Sequence, residues 1–582
     1  MQLTARPSAW LTDQMASRSS VLSLDLTNPW SLALAHPRVV LSILCLLLYL
    51  PGLGTLPPLD RDESRFTQST KQMIETGDFV QPRLQDEARN KKPVGIYWMQ
   101  AVTAEILSSA PYNAVWAYRI PSVLGALLTV LLVFSLGAKL YDKETGLIAA
   151  GLMASSLLLV GEAHIAKTDA VLVACTTAAQ LMIAYFFVAA RQGAPRPALR
   201  YSILLGVALG LSILVKGPIG PLVCGLTILG VSIWERRWGW FWTMRPILAF
   251  YVIILMNVPW LVAIMLVTKG QFMVDAFGRD FAGKLIGAEE SHGGPPGYYL
   301  ATLLVAFWPG WLFLAPAGLY AWSRRHEGAV RFLLAWLVPT WLLLEFTPTK
   351  LPHYPLPLYP ALALLCAASI MAATREARNF LDSTPVKVGA ALWLLMTFAL
   401  LGALVVYIPG AYGSGASPLL WVLAAPVVIA AGFALIFLVR LEGEKAAAAA
   451  IAAGGLLAVV ALAGVLPTLD QLMVSKRAAQ LIASTGVDPK AVASAGFHEP
   501  SLVFQVGTKM MLAKSGAEAA DFLATTPNAV ALVEKKEEPA FRQRLTQQLL
   551  QVEQLGQPIT GLNYSKNAEV TLTLYRLHKT GP

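Results

Sequence analysis

The strongest constraint in this sequence is a series of about thirteen stretches, each near the roughly 20 mostly apolar residues that a helix needs to cross a hydrocarbon core. They fall at 38–56, 118–139, 145–163, 168–190, 201–216, 218–235, 246–267, 298–322, 330–347, 354–373, 386–408, 418–440 and 446–466. Pro218 and Pro221 blur the boundary between the fifth and the sixth. With 56% hydrophobic and only 14% charged residues, the chain lies far from soluble enzymes, in which charged residues are about a quarter. The expected fold class is an α-helical polytopic membrane protein.

Cytoplasmic loops hold the excess of Lys and Arg, which tests the topology. Alternate short loops carry Lys139 and Lys143, then Arg191, Arg196 and Arg200, then Arg236, Arg237 and Arg245, with Arg324, Arg325, Arg375, Arg378, Arg440 and Lys445 following. The pattern predicts a cytoplasmic amino-terminal segment over 1–37, with no cleavable signal, and a carboxyl terminus on the outer side. Because the cations gather between apolar stretches, the net charge of +10 gives no reason to expect nucleic acid as a partner. Cys45, Cys175, Cys224 and Cys366 stand singly in apolar runs and read as packing residues, not as a metal site or a disulfide framework.

On that topology the polar loops 57–117 and 268–297, Lys167-Thr168-Asp169, Lys216-Gly217 and Lys350-Leu351-Pro352-His353-Tyr354 all reach the outer face. Ionisable groups beside a membrane are costly unless they serve a site, so their convergence predicts a pocket there. Asp62 to Glu75 can form a short helix that Gly77 stops, with Phe66, Met73 and Ile74 toward lipid and Arg65 and Lys71 toward headgroups. Residues 93–107 form a second interfacial candidate, with Tyr97 and Trp98 at the level of an aromatic belt. Gly293-Gly294-Pro295-Pro296-Gly297 reads either as the hinge of a covering flap or as a plain irregular loop.

Past Pro467 the composition changes to that of a soluble α/β domain over 467–582, expected on the periplasmic side. Residues 491–497, 501–506, 529–533 and 570–575 read as strands, and 517–525 and 539–551 as helices. No catalytic motif is present in it, and a structural cap is the expected role.

The outer-face residues support a definite chemistry. Carboxylates such as Asp62 and Asp169 can stabilise an oxocarbenium-like centre or act as general base toward a hydroxyl. Arg65, Lys92 and Lys216 can bind a phosphate and stabilise the charge that develops as it leaves, and Tyr354 can donate a hydrogen bond to the same group. A carboxylate pair could also hold a divalent cation, but Lys92 and Arg65 can neutralise a monophosphate unaided, so no metal or other cofactor is assigned.

Asp62-Glu63-Ser64-Arg65, Gly77-Asp78, Lys92-Pro93, Asp169, Lys216-Gly217 and Lys350-Leu351-Pro352 ahead of Tyr354 resemble, in order and spacing, the polyprenyl-phosphate-dependent glycosyltransferases of the GT-C membrane fold. The similar branch is that of the ArnT-like aminoarabinose lipid A transferases, with the protein mannosyltransferases more distant. The resemblance covers roughly 38–375. It implies a GT-C catalytic domain over 38–466 in a bacterial inner membrane, inverting transfer of one sugar from an undecaprenyl-phosphate-type donor, and lipid A or another envelope glycolipid as acceptor. It makes Asp62 and Asp169 the essential acidic pair and Lys92 a donor-phosphate ligand, with Arg65, Lys216, Tyr354 and Arg279 as further pocket residues.

Two positions depart from the pattern. Lys91 stands where ArnT proteins carry Glu, and Phe66 lacks the phenolic hydroxyl of the residue it replaces. Glu63 and Lys91 are therefore the residues expected to bear on sugar or acceptor selectivity, and Lys91 either favours an acidic sugar such as a uronate over an amino sugar or points to lipid headgroups. A transporter or flippase of a lipid-linked or small anionic substrate is the alternative. Transporters, however, place such sites near the midplane and commonly in repeated halves, and this sequence shows no internal repeat.

Overall fold

The computed structural model describes residues 29–59, 61–276, 278, 283, 293–375 and 380–578. Residues 1–28 of the amino-terminal segment and Arg279 of the outer loop lie outside the described residues.

Each predicted apolar stretch is found as a helix or as a bent pair of helices, but they are not equal. Among the described residues, 9 helices are long and apolar enough to cross a membrane, and two bent pairs bring the number to 11. The first and sixth stretches give only the shorter helices Pro37–Tyr49 and Ile219–Glu235. The expected count of about thirteen spans is thus reached only by including these short ones. Leu356–Arg375 is 94% buried and forms the axis of the bundle, whereas Pro246–Thr268, only 17% buried, presents its side chains outward as a lipid-facing helix does.

The bent pairs have a local cause and a shared remedy. Pro309 has no N–H to donate and interrupts the helix between Tyr298–Ala306 and Gly310–Ser323, which turn by 114°. The other break, of 63°, falls at Ser155 and Ser156, between Lys143–Ala154 and Leu157–Ala163. Where no water can satisfy a broken helix, other protein groups must do so. Here one break serves the other, because the Leu157 amide donates to the Trp308 carbonyl at 3.2 Å.

The polar loop helix forms as expected, over Asp62–Thr76, and ends at Gly77, whose φ of 73° is the left-handed cap that glycine accepts without strain. Its surroundings differ from expectation. Phe66 and Met73 do not face lipid but pack with Val94, Tyr97, Leu214 and Trp260, and Lys71 does not face headgroups. The helix lies between the membrane bundle and the carboxyl-terminal domain. Lys71 donates to Asn113 Oδ1 and to the Phe504 carbonyl, and Gln68 donates to Thr508 Oγ1 at 2.8 Å. The second candidate forms the helix Gly95–Leu107, in which Tyr97 is fully buried and only Trp98 retains the exposure of an interfacial aromatic.

Beyond Thr468 the chain builds a five-stranded mixed sheet. A short ribbon in the first loop, β1 (Arg83–Leu84) with β2 (Glu87–Ala88), precedes it in the sequence. The sheet comprises β3 (Val492–Ala495), β4 (Met511–Ala513), β5 (Val530–Glu534), β6 (Val552–Asn563) and β7 (Ala568–Leu577) in the order β4-β3-β5-β7-β6. The stretch 501–506, read as a strand, is a helix, Pro500–Val506. Pro500 occupies its first turn, where the missing N–H costs nothing, and Leu502, Val503 and Phe504 are drawn into cores.

Candidate active site

Several elements end at one level of the bundle and bring charges of alternating sign together. Asp169 opens the helix Asp169–Gln192, and Lys216 closes the neighbouring helix Leu199–Lys216. Each charge suits its position, since a helix amino terminus favours an anion and a carboxyl terminus a cation. Gly217, at φ 68°, turns the chain away immediately after Lys216. His353 and Tyr354 come from the proline-rich link before the axial helix, where Pro348, Pro352 and Pro355 prevent helix formation.

The Lys216 ammonium lies 2.5 Å from Asp169 Oδ1 and 5.5 Å from the centre of the Tyr354 ring. Lys167 Nζ is 3.8 Å from Asp169 Oδ2 and 2.9 Å from Glu162 Oε1. His353 turns Nδ1 toward Lys167 at 3.5 Å and Nε2 toward Asp169 at 3.9 Å. Burial holds the imidazole down at about 3, outweighing the pull of Asp169, so the ring is neutral. A neutral ring beside an ammonium accepts at Nδ1, which leaves the proton on Nε2, facing Asp169.

Asp62 is the first residue of the loop helix and remains exposed to solvent within this charged surround. Although its side chain reaches solvent, the protein packed around it would by itself raise its carboxyl; Lys167 and Arg89 outweigh that and hold it below the usual carboxylate range, against the opposing charge of Asp169. The two acidic residues, 107 positions apart in sequence, therefore act on each other and share Lys167.

Arg65 is half-buried three residues after Asp62, on the same face of the helix. Lys91 is exposed and Lys92 half-buried at the end of the charged turn, which Asn90 ties to Asp275 of the 268–297 loop at 3.1 Å. Lys350 does not enter the cluster; it donates to the Gly294 carbonyl at 3.0 Å, and Thr349 bridges Gly293, anchoring the glycine-rich end of that loop.

Glu63 requires a correction. It is fully buried and holds Arg119 through both oxygens, at 2.8 and 2.9 Å, while accepting from the amides of Ala166 and Leu59. Arg119 spends its other donors on the carbonyls of Leu53, Leu56 and Pro57. A carboxylate so fully occupied cannot select a sugar; it fixes the turn that presents Asp62.

Four contributors were not among the predicted site residues, and His353 is one of them. Glu162 and Lys167 form the buried pair just described. Arg89 donates through Nε to the Tyr97 hydroxyl at 3.0 Å and stacks 4.9 Å from the Phe66 ring, facing Asp62. Glu162 carried a readable signal, since an ionisable residue inside an apolar stretch marks a functional position by default. Arg89 carried none beyond its charge. Among the described residues, no group of three or more His, Cys, Asp or Glu gathers in a metal-holding arrangement.

Below this cluster runs an apolar groove of about 500 Å³, lined by Trp98, Val102, Leu124, Leu128, Val171 and Cys175. Val171 and Cys175 lie on the helix that Asp169 opens, so the groove begins beside the charged site.

Residues 39–273 match the family described as dolichyl-phosphate-mannose-protein mannosyltransferase. The chain is 32% identical over 340 residues to the undecaprenyl phosphate-alpha-4-amino-4-deoxy-L-arabinose arabinosyl transferase of Pseudomonas paraeruginosa, covering 57% of this chain and 60% of that one. It is 30% identical to the protein of the same name from Pectobacterium carotovorum, over 57% of this chain and 58% of the other. The chain thus spans about 60% of the length of the curated relatives it matches. In three dimensions it resembles ArnT from Cupriavidus metallidurans, solved bound to undecaprenyl phosphate, with a TM-score of 0.70 and 17% identity over 94% of this chain and 98% of that one. The Archaeoglobus fulgidus oligosaccharyltransferase is a more distant likeness, with a TM-score of 0.53, 13% identity, and coverage of 88% and 70%. The chain thus has a fold like that of Cupriavidus ArnT, and the sequence of its membrane domain is similar to those of the arabinosyl transferases and the mannosyltransferase family.

Proposed function

We propose that this chain is an inverting glycosyltransferase that moves one sugar from a polyprenyl-phosphate donor to an envelope glycolipid, lipid A above all. The observation that carries the reading is the meeting of Lys167 and Lys216 at Asp169, with Asp62 in their field, at the start of a helix whose Val171 and Cys175 line an apolar groove. The groove suits an isoprenoid chain, and the cations at the helix start suit the phosphate joined to that chain. The names of the arabinosyl transferases and the undecaprenyl phosphate bound to Cupriavidus ArnT support the same substrate class.

The contacts support different parts for the two acidic residues. Asp169 is committed to Lys216, so its part is to hold that ammonium where the phosphate leaves. Asp62, exposed and ionised, faces the acceptor and takes the proton of its hydroxyl. The acceptor oxygen bonds to the anomeric carbon as the carbon–oxygen bond to phosphate breaks, and the electron pair departs on the polyprenyl phosphate. Lys92, Lys216, Arg65 and Tyr354 stabilise that anion, and Arg279 of the outer loop is proposed to join them.

The arginine-rich loops at the opposite end of the bundle support a cytoplasmic location there and a periplasmic site in a bacterial inner membrane. Reconstituted protein with an undecaprenyl-phosphate sugar and lipid A tests the function, read by mass spectrometry of the lipid product. Unmodified lipid A with both aminoarabinose and galacturonate donors would remove this reading for those sugars and that acceptor, and unchanged lipid A in cells with and without the protein would remove lipid A as the acceptor.

A further inference from the structure

Two like charges in one site rarely both stay ionised, because repulsion pushes a proton onto one of them. Asp62 and Asp169 face this difficulty, since the charge of Asp169 favours a proton on Asp62. Lys167 acts on both, lying 3.8 Å from Asp169 and being the strongest charge on Asp62. A buried lysine is itself prone to lose its proton and is free to swing on its long stem. Glu162 prevents both, gripping the ammonium at 2.9 Å with the two side chains 5% and 9% exposed. Its second oxygen, Oε2, is buried without a hydrogen-bond partner among the described residues, so the grip on Lys167 is the role this carboxylate fills. The break at Ser155 and Ser156 starts the short helix Leu157–Ala163 that carries Glu162 to this position.

We propose that Glu162 is a positioning residue which, by fixing Lys167 where it acts on Asp62 and Asp169, keeps both carboxylates ionised in the working site. This deepens the proposed glycosyl transfer and rests on it. The other charges facing the cluster are His353, Lys216 behind Asp169, and Arg89 beyond Asp62, while Glu63 is taken by Arg119. None of them replaces Lys167, because Lys216 takes the other oxygen of Asp169, Oδ1, and His353 is neutral. In agreement, the Lys167 ammonium is held above its ordinary range; burial opposes this, and Glu162 leads the charges that overcome it.

The test is the pH dependence of kcat/KM for sugar transfer by the full-length protein in lipid, compared with Glu162→Gln, Glu162→Asp and Lys167→Gln. Glu162→Gln is expected to move the acid limb of the profile up by about one pH unit, and Glu162→Asp to restore it. Lys167→Gln removes the same ammonium and must move the same limb, which keeps the test open if Glu162→Gln does not fold. An acid limb left in place by a folded variant overturns the proposal, even where the rate falls, because a merely structural loss lowers activity at every pH alike. If the wild-type protein transfers no sugar, the proposed function fails first. The inference is then read from the infrared carboxyl band of Asp62, identified by its loss in Asp62→Asn. An unchanged titration in Glu162→Gln or Lys167→Gln overturns it.

Discussion

Lys216 and Asp169 join the ends of two neighbouring membrane helices through a contact of 2.5 Å, with the lysine side chain 13% and the aspartate 5% exposed. Asp169→Asn would leave that ammonium desolvated and without its counter-charge, a loss of about 3–5 kcal/mol for a buried pair. The expected result is a lowered unfolding temperature in detergent together with loss of transfer. Asp62 has no such structural duty, so Asp62→Asn is expected to fold normally and bind undecaprenyl phosphate while turnover falls about 10²–10⁴-fold. Thermal unfolding, lipid binding and transfer measured on both variants check the division of roles.

The neutral His353 makes the site sensitive to acid. Its folded value of about 3 lies under the 6.5 of the free side chain, so between those values the unfolded chain binds a proton that the folded chain does not. Stability is therefore complete above about pH 6.5 and is lost as the pH falls toward 3. The depressed Asp62 carboxyl acts in the same direction, its contribution disappearing as pH falls through its folded value. His353→Gln is expected to flatten the dependence of the unfolding midpoint across that window, and a slope as steep as that of the wild type would contradict the assignment.

Glu63 and Lys91 should separate cleanly by experiment. Glu63→Ala strands the buried Arg119 and is expected to cost about 3–5 kcal/mol, read as poor yield and a low melting temperature, with no change in donor choice. Lys91→Glu changes an exposed residue beside the site and should leave folding intact. It is expected to raise the rate with an aminoarabinose donor relative to a galacturonate donor about tenfold or more, as reversal of one charge contact allows. Competition between the two donors measures this ratio directly.

Lys71 is pulled down to about 8 by burial, which Glu75 only partly offsets, and its ammonium links the loop helix to the Phe504 carbonyl. Lys71→Ala leaves that carbonyl and Asn113 without their donor, at a cost of about 1–3 kcal/mol. Proteolysis of the seam between loop helix and outer domain is expected to quicken, with transfer reduced because Asp62 begins the same helix. Unchanged protection of the seam in Lys71→Ala would show that the contact does not hold it.

The membrane helices were legible because hydropathy alone dictates them, and the same stretches recur as helices or bent pairs. The breaks were less so, since Ser155 and Ser156 give a weak signal and Pro309 could equally have kinked one continuous span. The loop helix was placed correctly from its start at Asp62 to its stop at Gly77, yet assigned to lipid. Its partners, Phe504 and Thr508, lie 433 and 440 positions beyond Lys71 and Gln68, where no local pattern reaches. The same limit applies to β6, whose Gly556 and Pro558 argue against a strand. It is tolerated as the edge of the sheet, with a register shift between Leu555 and Ile559. Asp62, Asp169 and Lys216 were singled out by charge and position, and Lys216 does reach Asp169, whereas Arg89 needed the fold to show that it acts on Asp62.

The helix that carries Asp62 hangs from the outer domain by Gln68, Lys71 and, through the following ribbon, Gln85, which donates to the carbonyls of Thr508 and Met510. Asp62 is thus held from both sides, by Arg119 of a membrane helix through Glu63 and by the carboxyl-terminal domain through Gln68 and Lys71. A small molecule or antibody wedged into that joint is expected to displace Asp62 without entering the apolar groove.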